Sequence, residues 1–515
     1  MLKHVIFVLA VIGLSARALA ASPQEAADRL NAFIDDIPDL GPGFAAVVVT
    51  ADEVPLNKVM GVRRASTGAP LTIDTPIYIA SQTKAYMGLL AAVLDQRGVL
   101  PLDSTLADYW PALTLPDGLA AQDYTLRQLL VHEVPIRADF IVNTEAYVTR
   151  IDPKDYPRLI RDYAERRETG FDYDNLGYNI YGAILETHTG KTWQQWLDEE
   201  VFAPLKLTRT SARTSDFSLD ELAFSHQWQG EQGWHDVRPK YDGMMHSAGG
   251  IVTSTADMAR FLQLQLTGGG DESPFSREVV TLAHTSFIQT GMEDRKNAYE
   301  LVCSGYSLGW NLCDFASHEV FIHGGGYTGN RTMMAFSKDL GVGVAAFSNS
   351  DNQTGWFTSR TVTMFLQFLT DHPDTERMRA LRVERYPQRV ARQLTYLSER
   401  VAKSEGDPQW QGWQWSPNAQ TLGEYAGRYR TGEKYLEWTV GVRSQLIADW
   451  GDISMPLEPA APDLFATRSS PLEAWSPVRF LRDDEGEVIG LQRDGHEYRK
   501  VRAASAVSST LREHD

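Results

Sequence analysis

The spacing of apolar positions changes several times along this chain, and each change marks an element. Across residues 23–37, Ala26, Leu30, Phe33 and Ile34 recur at helical intervals. Gly43-Phe44-Ala45-Ala46-Val47-Val48-Val49 follows, a compact apolar run that predicts a sheet strand. Residues 82–96 return to helical spacing, with Met87, Leu90, Ala91 and Leu94 at i, i+3, i+4 and i+7, and Gly98 supplies the stop. Residues 256–266 predict a helix with Met258, Phe261, Leu262 and Leu266 inward. Residues 342–347 predict a buried strand and residues 361–369 a further helix. Strands and helices at both ends of a long region with a helical middle predict an antiparallel sheet carrying a helical subdomain.

The character changes near residue 375. Residues 373–402 are charged, rich in arginine and helix-compatible. Pro408-Gln409-Trp410-Gln411-Gly412-Trp413-Gln414-Trp415-Ser416-Pro417 has no useful period and reads as a linker or interdomain contact. From Tyr425 onward the period is two: Leu436, Trp438, Val440 and Val442 alternate with polar neighbours. Val478, Phe480 and Leu491 belong to similar runs, with Asp484-Glu485-Gly486 as a turn. This predicts a small antiparallel β domain of about 100 residues.

Composition narrows the picture. A chain of 515 residues with 43% hydrophobic content exceeds one ordinary domain. A net charge of -18, without a basic cluster suited to nucleic acid, argues against that partner. Lys3 and His4, the apolar run from Val5 to Leu14, and Ala18-Leu19-Ala20 read as a secretory signal cleaved near Ala20/Ala21. The expected location is therefore periplasmic or secreted. No cysteine stands directly after the cleavage point to carry a lipid, and no later stretch is long and apolar enough to span a bilayer, so no stable membrane anchor is expected. Cys303 and Cys313 are the only cysteines; a short disulfide and two unpaired thiols both remain open. Neither has neighbours resembling a zinc site, and no metal or cofactor is expected. The expected partition is a leader (1–20), a hydrolase domain (21–375), a helical, Trp-rich linker (376–420) and a β domain (421–515).

The chemistry centres on Ser81-Gln82-Thr83-Lys84. A serine hydroxyl needs a base. At the start of a helix, a lysine three residues on shares its face. Burial lowers a lysine's pKa toward the range of a base, and the helix N-terminus directs N–H groups at developing negative charge. Ser-x-x-Lys alone is common by chance, with a capping serine and an exposed lysine as its ordinary meaning.

Two later motifs change that. Tyr173-Asp174-Asn175 supplies a Tyr-x-Asn loop, and His323-Gly324-Gly325-Gly326 a His-x-Gly strand. With Ser81-x-x-Lys84 they appear in the order of the serine β-lactamase-like superfamily. The branch resembled holds class C β-lactamases, D-amino-acid peptidases, D-Ala-D-Ala carboxypeptidases and family VIII esterases, of the S12 peptidase type. Ser247-Ala248-Gly249-Gly250 and Tyr306-Ser307-Leu308-Gly309-Trp310 add support. The resemblance covers about residues 25–375. It implies an α/β (α+β) serine β-lactamase/transpeptidase-like fold. It makes Ser81 the nucleophile, Lys84 the base or relay, and Tyr173 a proton shuttle, a phenol whose pKa a nearby cation lowers. Asn175, His323, Gly324 and Gly325 would bind or orient substrate. The N–H groups of Ser81 and Gly326 would form the oxyanion hole. Leu422-Gly423-Glu424-Tyr425-Ala426-Gly427-Arg428-Tyr429 resembles the opening of a lipocalin-like module, implying a C-terminal β-barrel.

Two departures bear on substrate. His323 stands where penicillin-recognising relatives usually carry lysine, replacing a permanent charge with a group largely neutral near pH 7. Val131-His132-Glu133-Val134-Pro135 replaces a Ser-His-Thr-Ser-Gly block. Gly190-Lys191-Thr192 is no phosphate loop, because Leu185 fills the upstream glycine position. The sequons at Asn330 and Asn352 carry little weight. The first expectation is a serine peptidase for short peptides with D- or unusual residues, including linear peptide toxins. An esterase on small acyl esters, a β-lactamase or D-Ala-D-Ala carboxypeptidase, and a non-catalytic binding protein are the alternatives. The expected partner is a small peptide or ester substrate, with the oligomeric state open.

Overall fold

The computed structural model describes residues 21–291, 300–350, 353–432, 435, 437–450, 453–468, 470–493 and 495–501. The predicted leader, Leu436 and Asn352 lie outside the described residues.

A nine-stranded antiparallel sheet organises the larger part of the chain. Its order from one edge is Ile288–Gln289, Val302–Tyr306, Asn311–Phe315, His318–Tyr327, Asn330–Ser337, Val342–Ser348, Gly43–Val49, Leu56–Arg64 and Ala69–Pro70. The Gly43–Val49 strand is therefore an interior strand, beside one almost 300 positions later, with Val47 opposite Ala345. Its unbroken apolar run follows from that place. Phe44, Ala46 and Val48 face one helical layer, while Ala45, Val47 and Val49 face the other.

The first layer joins the helices Pro23–Asp35 and Phe357–Leu369, with Phe33 stacked 5.4 Å from Phe357. The second holds Thr83–Gln96, Leu176–Thr189 and Thr255–Thr267. The helix Thr83–Gln96 departs from a one-sided stripe: every residue from Thr83 to Leu94 is buried. A helix enclosed on all sides has no solvent face, and this one forms a fixed post whose first turn carries the chemistry. Cys303 and Cys313 face each other across neighbouring strands and form a disulfide, which settles the question left open by sequence.

The arginine-rich stretch forms the helix Thr375–Glu405. The tryptophan segment turns tightly over Pro408–Trp413, and Trp410 is wholly buried against Ala460, Ala461, Leu464 and Ala466. Eight antiparallel strands from Gly427–Arg430 to His496–Lys500 then close into a barrel, the first paired with the last. Alternate residues such as Trp438 and Val440, or Val478 and Phe480, are buried, as the period of two predicts. The barrel touches the larger domain through Tyr435, whose hydroxyl accepts from the Asp152 N–H (2.9 Å) and donates to the Asp155 carboxylate (2.5 Å).

Candidate active site

Ser81 occupies a tight turn, Ala80–Gln82, immediately before the buried helix. Ala80 adopts a φ of +47°, a left-handed conformation unusual for a residue with a Cβ. Surrounding bonds hold the turn. The Tyr78 hydroxyl donates to the Gly249 carbonyl, the Ile79 N–H to Ile251 O (3.0 Å), and the Ile251 N–H to Thr83 Oγ1 (3.1 Å).

One turn on, Lys84 is fully buried. Its Nζ lies 3.3 Å from Ser81 Oγ, 2.7 Å from Asn175 Oδ1 and 2.8 Å from the Ala248 carbonyl. Burial lowers its pKa to about 7, against an opposing pull from the Asp174 carboxylate. A neutral amine has two N–H bonds and one lone pair. Asn175 Oδ1 and the Ala248 carbonyl oxygen can only accept, so they take the two hydrogens and leave the lone pair toward the Ser81 hydroxyl.

Asn175 is free for this because its neighbour takes its usual task. It precedes the helix Leu176–Thr189 but makes no side-chain cap. Asp174 Oδ1 accepts from the Leu176 N–H instead (3.0 Å). The Tyr173 ring lies 4.9 Å from Lys84 Nζ, and its hydroxyl is hydrogen-bonded to Ser81. Although the residue is 41% exposed, protein packed around the hydroxyl raises its pKa, and the Ser81 bond offsets this only in part. The expected lowering by a nearby cation is corrected here: burial prevails, Lys84 is the group brought near neutrality, and Tyr173 stays a protonated phenol.

His132 supports the Tyr173 loop. It is buried, its Nδ1 accepts from the Asp174 N–H (3.3 Å), and its ring is 4.6 Å from that of Tyr173. Arg167 fastens the loop, donating to the carbonyls of Asp172 (2.7 Å), His132 (3.0 Å), Val134 (3.0 Å) and Ile136 (3.1 Å). Sequence reasoning missed Arg167. Its one signal was a place among charges between two apolar stretches, which many arginines share.

The third motif lies on the strand His318–Tyr327. His323 is buried; its Nδ1–H donates to the Gly324 carbonyl (2.7 Å), and the Tyr306 hydroxyl donates to its Nε2 (3.3 Å). Burial, then the charge of Lys84, lower its pKa to about 3, so the ring is neutral across the physiological range. Gly325 passes so close to the Ser81 turn that a Cβ there would lie 2.1 Å from Ile79 O. Gly326, one residue on, is exposed. The structure thus joins Ser81, Lys84, Tyr173 and Asn175 directly, with the His323 ring 5.9 Å from that of Tyr173.

A second buried lysine also escaped sequence reasoning. Lys240 donates to the Ala146 carbonyl (2.7 Å), with the rings of Tyr327, Tyr78 and Tyr147 at 4.1, 5.2 and 5.7 Å. Burial lowers its pKa to about 7. No motif surrounds it in the chain; the tyrosines that enclose it come from three distant segments. Among the described residues, no His, Cys, Asp and Glu side chains gather as a metal-binding group, and no helix is long and apolar enough to cross a membrane.

A family model described as Beta-lactamase matches residues 30–365, more than half of the chain. The chain belongs to the beta-lactamase family. Penicillin-binding protein 4 of Amycolatopsis lactamdurans is 27% identical over 330 residues, 62% of this chain and 83% of that protein. Protein flp of Staphylococcus aureus (strain COL) is 23% identical over 61% of this chain, which spans 60% of that protein's length. The octameric penicillin-binding protein homologue from Pyrococcus abyssi shares the fold at a TM-score of 0.56 and 20% identity, over 92% of this chain and 99% of that one. D-amino acid amidase from Ochrobactrum anthropi SV3 does so at 0.53 and 19% identity, over 67% and 99%. EstCE1, a hydrolase with promiscuous acyltransferase activity, does so at 0.54 and 17% identity, over 68% and 98%. This beta-lactamase-family chain therefore has the serine hydrolase fold, an antiparallel sheet with helices on both faces, extended by a closed β-barrel.

Proposed function

We propose that this chain hydrolyses short peptides or amides containing D- or unusual residues through an acyl-enzyme on Ser81. One observation carries the acyl-enzyme reading: Lys84 Nζ, near neutrality and 3.3 Å from Ser81 Oγ, has its other acceptors fixed. Ser81 Oγ gives its proton to Lys84 as it attacks the substrate carbonyl carbon. The carbonyl oxygen gains negative charge, and the N–H groups of Ser81 and Gly326 are its assigned donors. The proton on Lys84 passes to the leaving nitrogen, directly or through the protonated Tyr173 hydroxyl, as the C–N bond breaks. Water then attacks the acyl carbon, gives up its proton along the same path, and Ser81 recovers its own.

The peptide preference rests on His323. Neutral and bonded to Gly324 and Tyr306, it offers no permanent charge to a substrate carboxylate. The likeness to a D-amino acid amidase supports the same class. The esterase alternative uses the same residues and differs only in the departing group; the likeness to EstCE1 favours it. The barrel is read as a lipocalin-like module on its eight-stranded closure and the Leu422–Tyr429 opening.

The test is mass spectrometry of Ser81 acylation combined with turnover of D-residue peptides, L-peptides, esters and β-lactams. Acylation at Ser81 with cleavage of D-residue peptides is expected. Ester turnover without peptide cleavage would overturn the peptide reading. Equal labelling of wild type and Ser81→Ala by a serine-directed probe would overturn the acyl-enzyme reading.

A further inference from the structure

The helices Phe357–Leu369 and Thr375–Glu405 enclose a groove of about 290 Å³ with an unusual charge. Arg382, Arg385, Arg389 and Arg392 line it from one stripe of the long helix, and Arg360 faces them from the other. Toward the start of the long helix the arginines are paired, Arg377 with Asp374 and Arg379 with Asp36 and Glu376, and Arg29 of the neighbouring helix Pro23–Asp35 pairs with Asp371 and Glu376. Among the described residues, none of the five groove arginines pairs with a carboxylate. Arg382 donates to the neutral Gln367 amide (2.9 Å) and contacts the Met364 sulfur, and Arg389 stacks 3.9 Å above Trp356.

A chain with 67 acidic residues against 49 basic ones has ample carboxylates to neutralise such a cluster. The guanidiniums instead repel one another. Burial and the neighbouring Arg360 lower the pKa of Arg382 to about 10, and Arg360 and Arg389 are lowered by burial and by their own arginine neighbours. Arg360 and Arg382 are partly withdrawn from solvent while Arg385, Arg389 and Arg392 are exposed, and an unpaired set of guanidiniums facing one groove is the donor arrangement that phosphoryl groups satisfy with paired N–H···O bonds. Trp356 and Tyr386 add an aromatic wall. The arginines bound a pocket of small-molecule size instead of spreading over a flat face.

We propose that this groove binds a soluble ligand carrying two or more phosphoryl groups, separately from the Ser81 site. Lipid phosphate headgroups present the same chemistry, so the experiment must tell the two sources apart.

Calorimetric titration of the full chain with tripolyphosphate at low ionic strength is the test, with sodium chloride at matched ionic strength as control. Saturable binding is expected. Arg385→Gln with Arg389→Gln, both exposed positions, should weaken it by about tenfold or more. Arg377→Gln, on the same helix but paired with Asp374, should leave it unchanged. Without ligand, the double variant should keep the wild-type circular dichroism and a cooperative melt, since it loses the Arg389 stack on Trp356 but no ion pair. That keeps lost binding distinct from lost folding. Absence of saturable binding, equal weakening by Arg377→Gln, or binding only to vesicles containing phosphatidylglycerol would overturn the proposal.

Discussion

Lys84 Nζ donates to Asn175 Oδ1 at 2.7 Å, so the Tyr-x-Asn loop fixes the base of the Ser-x-x-Lys motif 91 positions earlier. The two motifs form one device. Asp174 caps the helix, Asn175 is left to orient the amine, and burial makes that amine release its proton more readily while the Asp174 charge partly opposes it.

This arrangement predicts the acid limb of the pH profile. Protonated Lys84 has no lone pair for Ser81, so kcat/KM for the free enzyme should rise through about pH 7 and then level. The Asp174 charge raises the pKa of Lys84, so Asp174→Asn, which keeps an oxygen for the cap, should move the limb to lower pH. Asn175→Asp places a carboxylate against the amine and should move it upward by about one unit or more. Steady-state profiles of the three proteins check both signs. A limb that moves the same way in both variants would remove Lys84 as the titrating base.

The sequence carried the parts of this fold whose signal is local. The 3.6-residue spacing around Met87 and Leu90, the apolar run of Gly43–Val49 and the alternation around Trp438 all have physical causes within a few residues. The contact between Ser81 and Lys84 was legible for the same reason, being one helical turn. Lys84's other partners lie 91 and 164 positions away; the motif order put Asn175 in the same site as a group to orient substrate, and nothing in the sequence indicated that it and Ala248 bond to Lys84. Nothing local marked Arg167 or Lys240, because their roles depend on carbonyls and rings brought in by other elements. The direction of the Tyr173 shift could not be read either. It depends on how completely the hydroxyl is enclosed, which a list of neighbouring charges does not contain. Trp410 was illegible because a single buried anchor in an aperiodic segment has no pattern to repeat.

Acid should destabilise the fold through its buried histidines, among them His323 and His132, with His226, His246 and His284 lowered in the same direction by burial. The folded-state pKa of His323 is lowered to about 3 and that of His132 to about 4, burial being the main cause in each. Both sit below the unfolded value near 6.5. Between those limits the unfolded chain binds protons that the folded chain refuses. Stability is therefore full above about pH 6.5 and is lost as the pH falls toward 3, on the order of several kcal/mol for the pair. Urea unfolding at stepped pH should show this slope, and His132→Gln should flatten it. An unchanged slope would mean that other groups dominate.

The cross-strand disulfide should stabilise the edge of the sheet without taking part in catalysis. Cys303 and Cys313 are ten positions apart, and closing so short a loop in the unfolded chain is worth about 3 kcal/mol. Replacing both with serine should lower the melting temperature. Tyr306 keeps its place beside His323 through its own burial, so kcat should change little. A large fall in kcat with a small change in melting temperature would contradict this division.

Adjacent glycines of the third motif should behave very differently. At Gly324 an added Cβ would meet the Met333 Cε at 3.2 Å, the flexible end of a side chain that can rotate away. At Gly325 it would lie 2.1 Å from Ile79 O and 2.4 Å from Thr332 Oγ1. Ile79 belongs to the turn that aims Ser81 and is tied on its other side to Ile251, so its carbonyl cannot retreat. The strand would have to move outward, carrying Gly326 with it and widening the gap between the Ser81 and Gly326 N–H groups. Overpacking of this kind costs about 1–3 kcal/mol, and a displacement near 1 Å costs about a hundredfold in rate. Gly325→Ala should therefore lose activity steeply while remaining folded, and Gly324→Ala should stay within about threefold of wild type, as a contact a side chain relieves by rotating. Kinetics on one substrate, with circular dichroism for folding, separate the cases. Equal activity in the two variants would show that the close approach at Ile79 does not set the geometry of the site.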